Sequence, residues 1–235
     1  MRKRWIAVTI VAIISVTIYY MFRPAKETAS SGIAYKEIPA LKGIAYITLG
    51  KTFQDIKNAI DSSYAANKQL LKENYIDKSE TFTYEKPTYG DIPDKYNKDY
   101  LEYEAVIVIS DELISEKAHL FFWKDTLQRI WFSNSDPASR KIGEAMVWKY
   151  GEGEGFHNKT TNNESQLHLW GNNYCIARYK GSTTYTIGSN GLANGIDRWF
   201  HEVEIKLNDS EMEKRISAYL HEADSLWKAD AYGDI

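Results

Sequence analysis

The spacing of apolar residues changes character along the chain, and each change predicts a different kind of element. Trp5 to Phe22 has no period at all. It is eighteen consecutive residues without a formal charge, rich in Val, Ile and Ala, bracketed by Arg2-Lys3-Arg4 and by Arg23 and Lys26. At about 1.5 Å rise per residue such a run covers roughly 27 Å as a helix, close to the thickness of a hydrocarbon core. Trp5 and Tyr19-Tyr20 stand at its ends, where amphipathic rings favour the headgroup region. The pattern therefore predicts one N-terminal transmembrane helix. The basic tip of Arg2, Lys3 and Arg4 stays cytoplasmic, and the remainder lies extracytoplasmic, in the periplasm if the cell is Gram-negative. The competing reading is a signal peptide cleaved near Ala29-Ser30. No cysteine stands directly after the run, so the modification site of a lipoprotein is absent.

Residues 1–26 are thus expected to form the cytoplasmic tip and anchor, the polar residues 27–43 a tether, and residues 44–235 one extracytoplasmic domain. Within that domain Ile44 to Leu49 suits a short strand, and Thr52 caps a helix carrying Phe53, Ile56 and Ile60 at helical spacing. Tyr84 to Tyr100, with Pro87, Gly90 and Pro93, suggests a loop or lid. Ala105-Val106-Ile107-Val108-Ile109 is apolar on both faces, as a central strand requires. Ala118 to Trp123 and Leu127 to Phe132 form a hairpin about Lys124-Asp125-Thr126. Ser135-Asp136-Pro137 then opens a helix that Gly151 ends. Glu164 to Trp170 and Tyr174 to Tyr179 make a second hairpin, and Trp199 to Leu207 alternates as a strand. Asn208-Asp209-Ser210 caps a last helix with Met212, Ile216, Tyr219, Leu220, Ala223 and Trp227 along one stripe. The expected fold class is α+β, a mainly antiparallel twisted sheet with helices packed on it, preceded by the membrane helix.

Charge changes the picture only when divided by segment. Five of the 29 Lys and Arg residues fall within residues 1–26, which hold no Asp or Glu. That leaves 24 against 32 beyond, a net charge of −8 (24 − 32). An acidic domain repels phosphate backbones, so nucleic acid is excluded as a partner. Candidate chemistry is sparse. Cys175 is alone and cannot close an intramolecular bridge. His201-Glu202 and His221-Glu222 lack a second histidine one turn on, and no spacing suits zinc. Gly151-Glu152-Gly153-Glu154-Gly155 follows a helix end instead of opening a helix, and its glutamates would repel a phosphate, so it is expected to be a flexible connector. No catalytic residue, metal or cofactor is assigned. Asn158, Asn163 and Asn208 begin glycosylation sequons, which carry meaning only in a eukaryotic source.

One constellation stands out. Alternation in the first hairpin puts Leu120, Phe122, Ile130 and Phe132 on one face and His119, Phe121, Trp123, Arg129 and Trp131 on the other. His168 and Trp170 alternate in the same way against Leu167 and Leu169. If these strands share a sheet, Phe121, Trp123, Arg129, Trp131 and Trp170 make one aromatic and cationic surface. Such side chains anchor protein interfaces, and flat rings also stack on sugars. The alternative is a second core layer beneath a helix, with His119 and His168 as ordinary hydrogen-bonded core residues.

Ile47-Thr48-Leu49-Gly50-Lys51-Thr52-Phe53-Gln54-Asp55-Ile56 and the hairpin from Leu120 to Ile130 resemble a family of small envelope modules. These are the β-lactamase inhibitor proteins and the small lipoprotein of the outer-membrane β-barrel assembly machinery. In this chain Asp61-Ser62 stands where that family has a Leu-Gly helix ending. The resemblance implies a non-catalytic module that binds another protein through an open sheet face. The expectation is therefore a single-pass, membrane-anchored envelope protein with a protein-binding or assembly role and an envelope protein as its partner. The alternative is a cell-wall or glycan-acting enzyme or carbohydrate binder, using the same aromatics with carboxylates from the Tyr84–Tyr100 loop.

Overall fold

The computed structural model describes residues 34–85, 92, 93, 95–187 and 193–232. The apolar run from Trp5 to Phe22 lies outside them. Among the described residues no helix is long and apolar enough to cross a membrane. The domain is α+β. Its strands are β1 (Lys36–Glu37), β2 (Gly43–Ile44), β3 (Ile47–Thr48), β4 (Phe82–Glu85), β5 (Tyr100–Ser110), β6 (Leu113–Trp123), β7 (Thr126–Phe132), β8 (Glu154–Lys159), β9 (Asn163–Gly171), β10 (Cys175–Ile187) and β11 (Ala193–Leu207). Its helices are α1 (Phe53–Ala66), α2 (Lys68–Glu73), α3 (Ala138–Tyr150) and α4 (Ser210–Tyr232).

Among the described residues nine strands form one sheet in the order β1-β9-β10-β11-β7-β6-β5-β4, with β8 also on the outer edge of β9. Every pairing is antiparallel except β1 with β9, so the sheet is mixed. The hairpins explain this geometry: short turns can join only antiparallel neighbours. At Lys124-Asp125 both residues take positive φ, 46° and 69°, the left-handed conformation that lets a two-residue turn follow the strand twist. Gln128 is a bulge in β7, because Phe121 pairs with Arg129 while Phe122 pairs with Leu127. The extra residue lets Leu127 point to one face and Arg129 to the other.

The inner face of the sheet carries the main core. Leu120, Phe122, Ile130, Phe132, Ala177, Tyr179, Val203 and Ile205 meet Ile56 and Ile60 of α1, Ala138, Ile142 and Met146 of α3, and Leu41, Ile47 and Leu49 ahead of α1. The start of α1 is capped as its sequence predicts, with the Asp55 N–H donating to Thr52 Oγ1 at 3.2 Å. At the start of α3 the buried Asp136 carboxylate accepts from the Ala138 N–H at 2.8 Å, the Ser115 hydroxyl at 2.6 Å and the Lys117 N–H at 3.2 Å. That carboxylate fastens α3 to β6. Val106 and Val108 turn instead to Leu71 of α2 in a smaller cluster, so β5 is apolar on both sides as its sequence requires.

Several expectations change. The segment expected as a tether is part of the fold from Lys36 onward: β1 pairs with Trp170 and Gly171, and Leu41 is buried. The glycines after α3 are not a loose connector. Gly153 lies so close to β9 that a Cβ would sit 2.6 Å from the Leu169 nitrogen, and a Cβ on Gly155 would sit 2.1 Å from the Leu167 oxygen. They are bare so that β8 can lie on β9. The single strand expected over Ile44–Leu49 is a small hairpin, β2–β3, turned at Ala45 with φ 50°. Of the Tyr84–Tyr100 loop, residues 86–91 and 94 lie outside the described residues.

Gly143 of α3 faces the ring of Tyr179, where a Cβ would come within 2.2 Å of Cε2. Gly143→Ala gains up to about 1 kcal/mol of helix propensity, but overpacking a fixed core ring costs about 1–3 kcal/mol. The variant is therefore expected to unfold at lower urea concentration than the wild type with an unchanged m-value, the overpacking outweighing the propensity.

Candidate functional site

The two faces of the sheet hold different polar constellations. Row by row, cross-strand pairing fixes which residues share a face. His119, Trp131, Glu204, Arg178 and Leu169 are successive partners across β6, β7, β11, β10 and β9. They all lie on the outer face. Leu120, Ile130, Ile205, Ala177 and Trp170 are successive partners on the inner face.

The outer face is an aromatic and charged layer. Arg129 stacks over Phe121 at 4.6 Å and lies 5.7 Å from the centre of the Trp131 ring. Its Nε pairs with Glu204 at 2.8 Å, and Arg178 joins Glu204 at 3.2 Å and Glu202 at 3.1 Å. His119 pairs with Glu102 at 2.8 Å beside Trp131. Among the described residues one helix covers this layer. α4 lays Met212, Ile216, Tyr219 and Leu220 on Tyr100, Phe121, Trp123 and Trp131. Its N-terminus is capped by Asp209, which accepts the Met212 N–H at 2.9 Å. Its middle is pinned by the Tyr219 hydroxyl, which accepts the N–H groups of Lys98 and Asp99 at 2.8 and 3.1 Å. Its far end is held by Asp230, which pairs with Tyr96 and with Lys95.

Clefts open on both flanks of α4. One, of about 680 Å³, runs between Met212, Ile216 and Leu220 on the helix and Tyr100, Gln128 and Arg129 on the sheet. The other, of about 610 Å³, lies between Tyr219 and Arg215 on the helix and Trp123 and Gln128 on the sheet. The Gln128 bulge borders both.

The five residues expected to share one open surface are thus divided. Phe121 and Trp123 lie beneath α4, at 3% and 7% exposure, Trp131 is half-buried there, and Arg129 borders the larger cleft. Trp170 is on the opposite face, wholly buried in the main core, with its Nε1–H donating to the Gly151 oxygen at 2.9 Å. The expected phase of β9 was inverted. Alternation shows that Trp170 opposes Leu169, but only the pairing of β9 through β10 and β11 decides which of them turns inward.

On the inner face, strands β9 to β11 hold a chain of rings and hydrogen bonds, buried up to the exposed Trp199, that alternation alone did not reveal. Trp170, His168, Tyr179, His201 and Trp199 follow one another with centroid separations of 5.5, 6.1, 5.9 and 6.1 Å and planes within 28° of parallel. A single set of tautomers satisfies every contact. The Gly153 N–H donates to His168 Nδ1 at 3.3 Å, and His168 Nε2–H donates to Gln166 Oε1 at 3.1 Å. The Gln166 amide donates to the Tyr179 oxygen at 3.2 Å, and the Tyr179 hydroxyl to His201 Nδ1 at 2.8 Å. His201 Nε2–H ends the chain on Thr183 at 3.1 Å. Burial pushes both imidazoles below their ordinary pKa and the Tyr179 phenol above its own. At the solvent edge Glu164 accepts from His157 at 2.9 Å, Tyr185 at 3.1 Å and Lys159 at 3.2 Å, which hold its carboxyl below the usual range. Three of the chain's five histidines therefore gather in one region. The sequence signal was their alternate placement with Gln166, Tyr179 and Thr183, visible once the strand register is known. Among the described residues no group of three His, Cys, Asp or Glu side chains is placed to hold a metal ion.

Both buried imidazoles are neutral in the fold and bind protons more readily when unfolded. Stability is therefore complete above the ordinary histidine pKa of about 6.5 and is lost as pH falls from there through the depressed folded values. Glu164, with its lowered pKa, adds a second loss below its ordinary value of 4.5. Urea midpoints measured from pH 8 to pH 4 should show the first decline near pH 6.5, and a midpoint constant down to pH 5 would contradict it. Tyr179→Phe removes the donor to His201 and the acceptor for Gln166, and is expected to lower stability by about 1–3 kcal/mol.

No protein-family model, curated protein or solved structure matches the chain.

Proposed function

We propose that the chain is a single-pass, membrane-anchored envelope protein whose domain binds a protein partner in a non-catalytic or assembly role. The anchor reading rests on the uncharged run from Trp5 to Phe22 and its basic flanks. The binding reading rests on one observation: an aromatic and arginine-bearing layer lies under α4, with a cleft of about 680 Å³ open along its flank. The partly exposed apolar side chains of Met212, Ile216 and Leu220 supply area that a partner can take out of water. Arg129, Glu204, Lys206 and Glu213 supply charges of both signs for orientation. The surface is thus the flank of α4 and the sheet beside it, in place of the five-residue patch that alternation predicts. The resemblance to the envelope inhibitor and assembly modules agrees with this use of the sheet's outer face. A sugar would need an open ring face, which Trp123 and Trp170 do not offer at 7% and 0% exposure.

Two outcomes are expected in cells. Full-length protein pellets with membranes and stays there through a high-salt wash, with its C-terminal domain cut by protease added from the extracytoplasmic side. A photo-crosslinking amino acid at position 217, on the cleft side of α4, yields a discrete protein adduct that the same residue at position 160, in the β8–β9 turn, does not. Identical adduct patterns at the two positions overturn the binding surface, and recovery of intact protein in the soluble fraction overturns the anchor.

A further inference from the structure

We propose that β8 is a flap whose near end is released by protonation of His168, so that acidification bares the edge of β9 beneath it. The inference concerns the inner-face histidines and is independent of the proposed partner cleft.

The geometry at the start of β8 allows only one protonation state of this imidazole. His168 is 2% exposed, and its Nδ1 accepts the Gly153 N–H while its Nε2 donates to Gln166. A proton added at Nδ1 comes from solvent and leaves the ring cationic, with an N–H confronting the N–H of Gly153. Two donors at 3.3 Å repel, and water has no room to intervene while Gly153 is pressed against the Leu169 backbone. The charge also has no buried counterion on its own strand. Of the titratable groups facing it, Glu152 ahead of β8 favours the charged form. His157 on β8 opposes it, and Tyr179 on β10 is neutral with its phenol pushed up. His201, next along the ring stack, faces Arg140 and Glu144 of α3 and Glu164 of β9, and Arg140 opposes its protonation in turn.

The strain is relieved by moving the segment from Gly151 to Gly155. It carries no side chain at three of its five positions, and all six residues of β8 are exposed. Its lift forfeits the Trp170 Nε1–H bond to Gly151 and the β9 pairings of Glu154 and Gly155. The other end of β8 behaves oppositely. His157 and Lys159 both meet Glu164, whose carboxyl is held below its usual range by those contacts, so that end keeps its ties to β9. Acid therefore loosens the strand at Gly153 while Glu164 still holds it at Lys159, which makes the movement a hinge about the β8–β9 turn and not a general unfolding.

The test is hydrogen exchange on the full-length protein in detergent micelles, read at pH 7.5 and pH 5.0 after correction for intrinsic rates. Protection of the Gly153–Gly155 amides is expected to fall on the order of tenfold relative to the α1 amides, with the Lys159 amide retaining its protection. In His168→Asn, whose side-chain oxygen can accept the Gly153 N–H at either pH, that ratio should not change. An equal fall in His168→Asn, or no fall in the wild type, overturns the proposal. A second readout in the wild type does not depend on the variant folding: the NMR titration midpoint of the His168 ring should coincide with the pH midpoint of β8 exchange, and a difference of more than about one pH unit overturns it.

Discussion

Pleat parity across the sheet is the constraint on which the rest of the domain depends. In a ladder each residue shares its face with its cross-strand partner, so one registered row fixes a face over every strand it crosses. The row from Leu120 through Ile130, Ile205 and Ala177 to Trp170 spans five strands without a break. Once those residues turn toward α1 and α3, the row beside it has no freedom. His119, Trp131, Glu204, Arg178 and Leu169 must face the other way. The Gln128 bulge is where parity is adjusted, and it lies beside both clefts along α4.

The two faces then solve the problem of buried polarity by different means. Inside, the imidazoles of His168 and His201 are neutral and joined through Gln166 and Tyr179, so each donor has an acceptor and no charge needs solvation. Outside, the groups are ionic and only partly shielded: Arg129, Arg178, Glu202 and Glu204 form a network whose arginines are partly exposed. A charge network of this kind contributes little to stability by itself, because desolvation offsets most of the attraction. It does prevent the outer face from becoming a second dry core, and α4 rests on its aromatic part alone.

Local chemistry carried most of the elements into view from the sequence. Thr52, the Ser135-Asp136-Pro137 start, Gly151 and Asp209 each act through neighbours within a turn, and the faces of the first hairpin follow from its own alternation. What was hidden depended on distant partners. Trp170 and Leu169 are equivalent by period, and their assignment needed β10 and β11, whose pairing lies outside any local window. The close approach of Gly153 and Gly155 to β9 was hidden for the same reason, since a glycine run that permits contact looks like one that permits motion. Of the five candidate surface residues, four share the outer face as alternation requires. What sequence could not show is that the stripe on α4 is folded back onto three of them, because an apolar stripe specifies burial and not what it is buried against.

Asn172, in the turn between β9 and β10, donates through its amide to the carbonyls of Ile38 and Leu41 at 2.8 Å each, while its oxygen accepts from the Tyr174 and Cys175 N–H groups at 2.8 and 2.9 Å. One side chain thereby ties the incoming polypeptide to a turn more than a hundred positions further on. Because β1 occupies the same margin of β9 as β8, the described polypeptide begins beside that strand. A bulky neighbour joined there would crowd this side of the molecule and leave the α4 side clear.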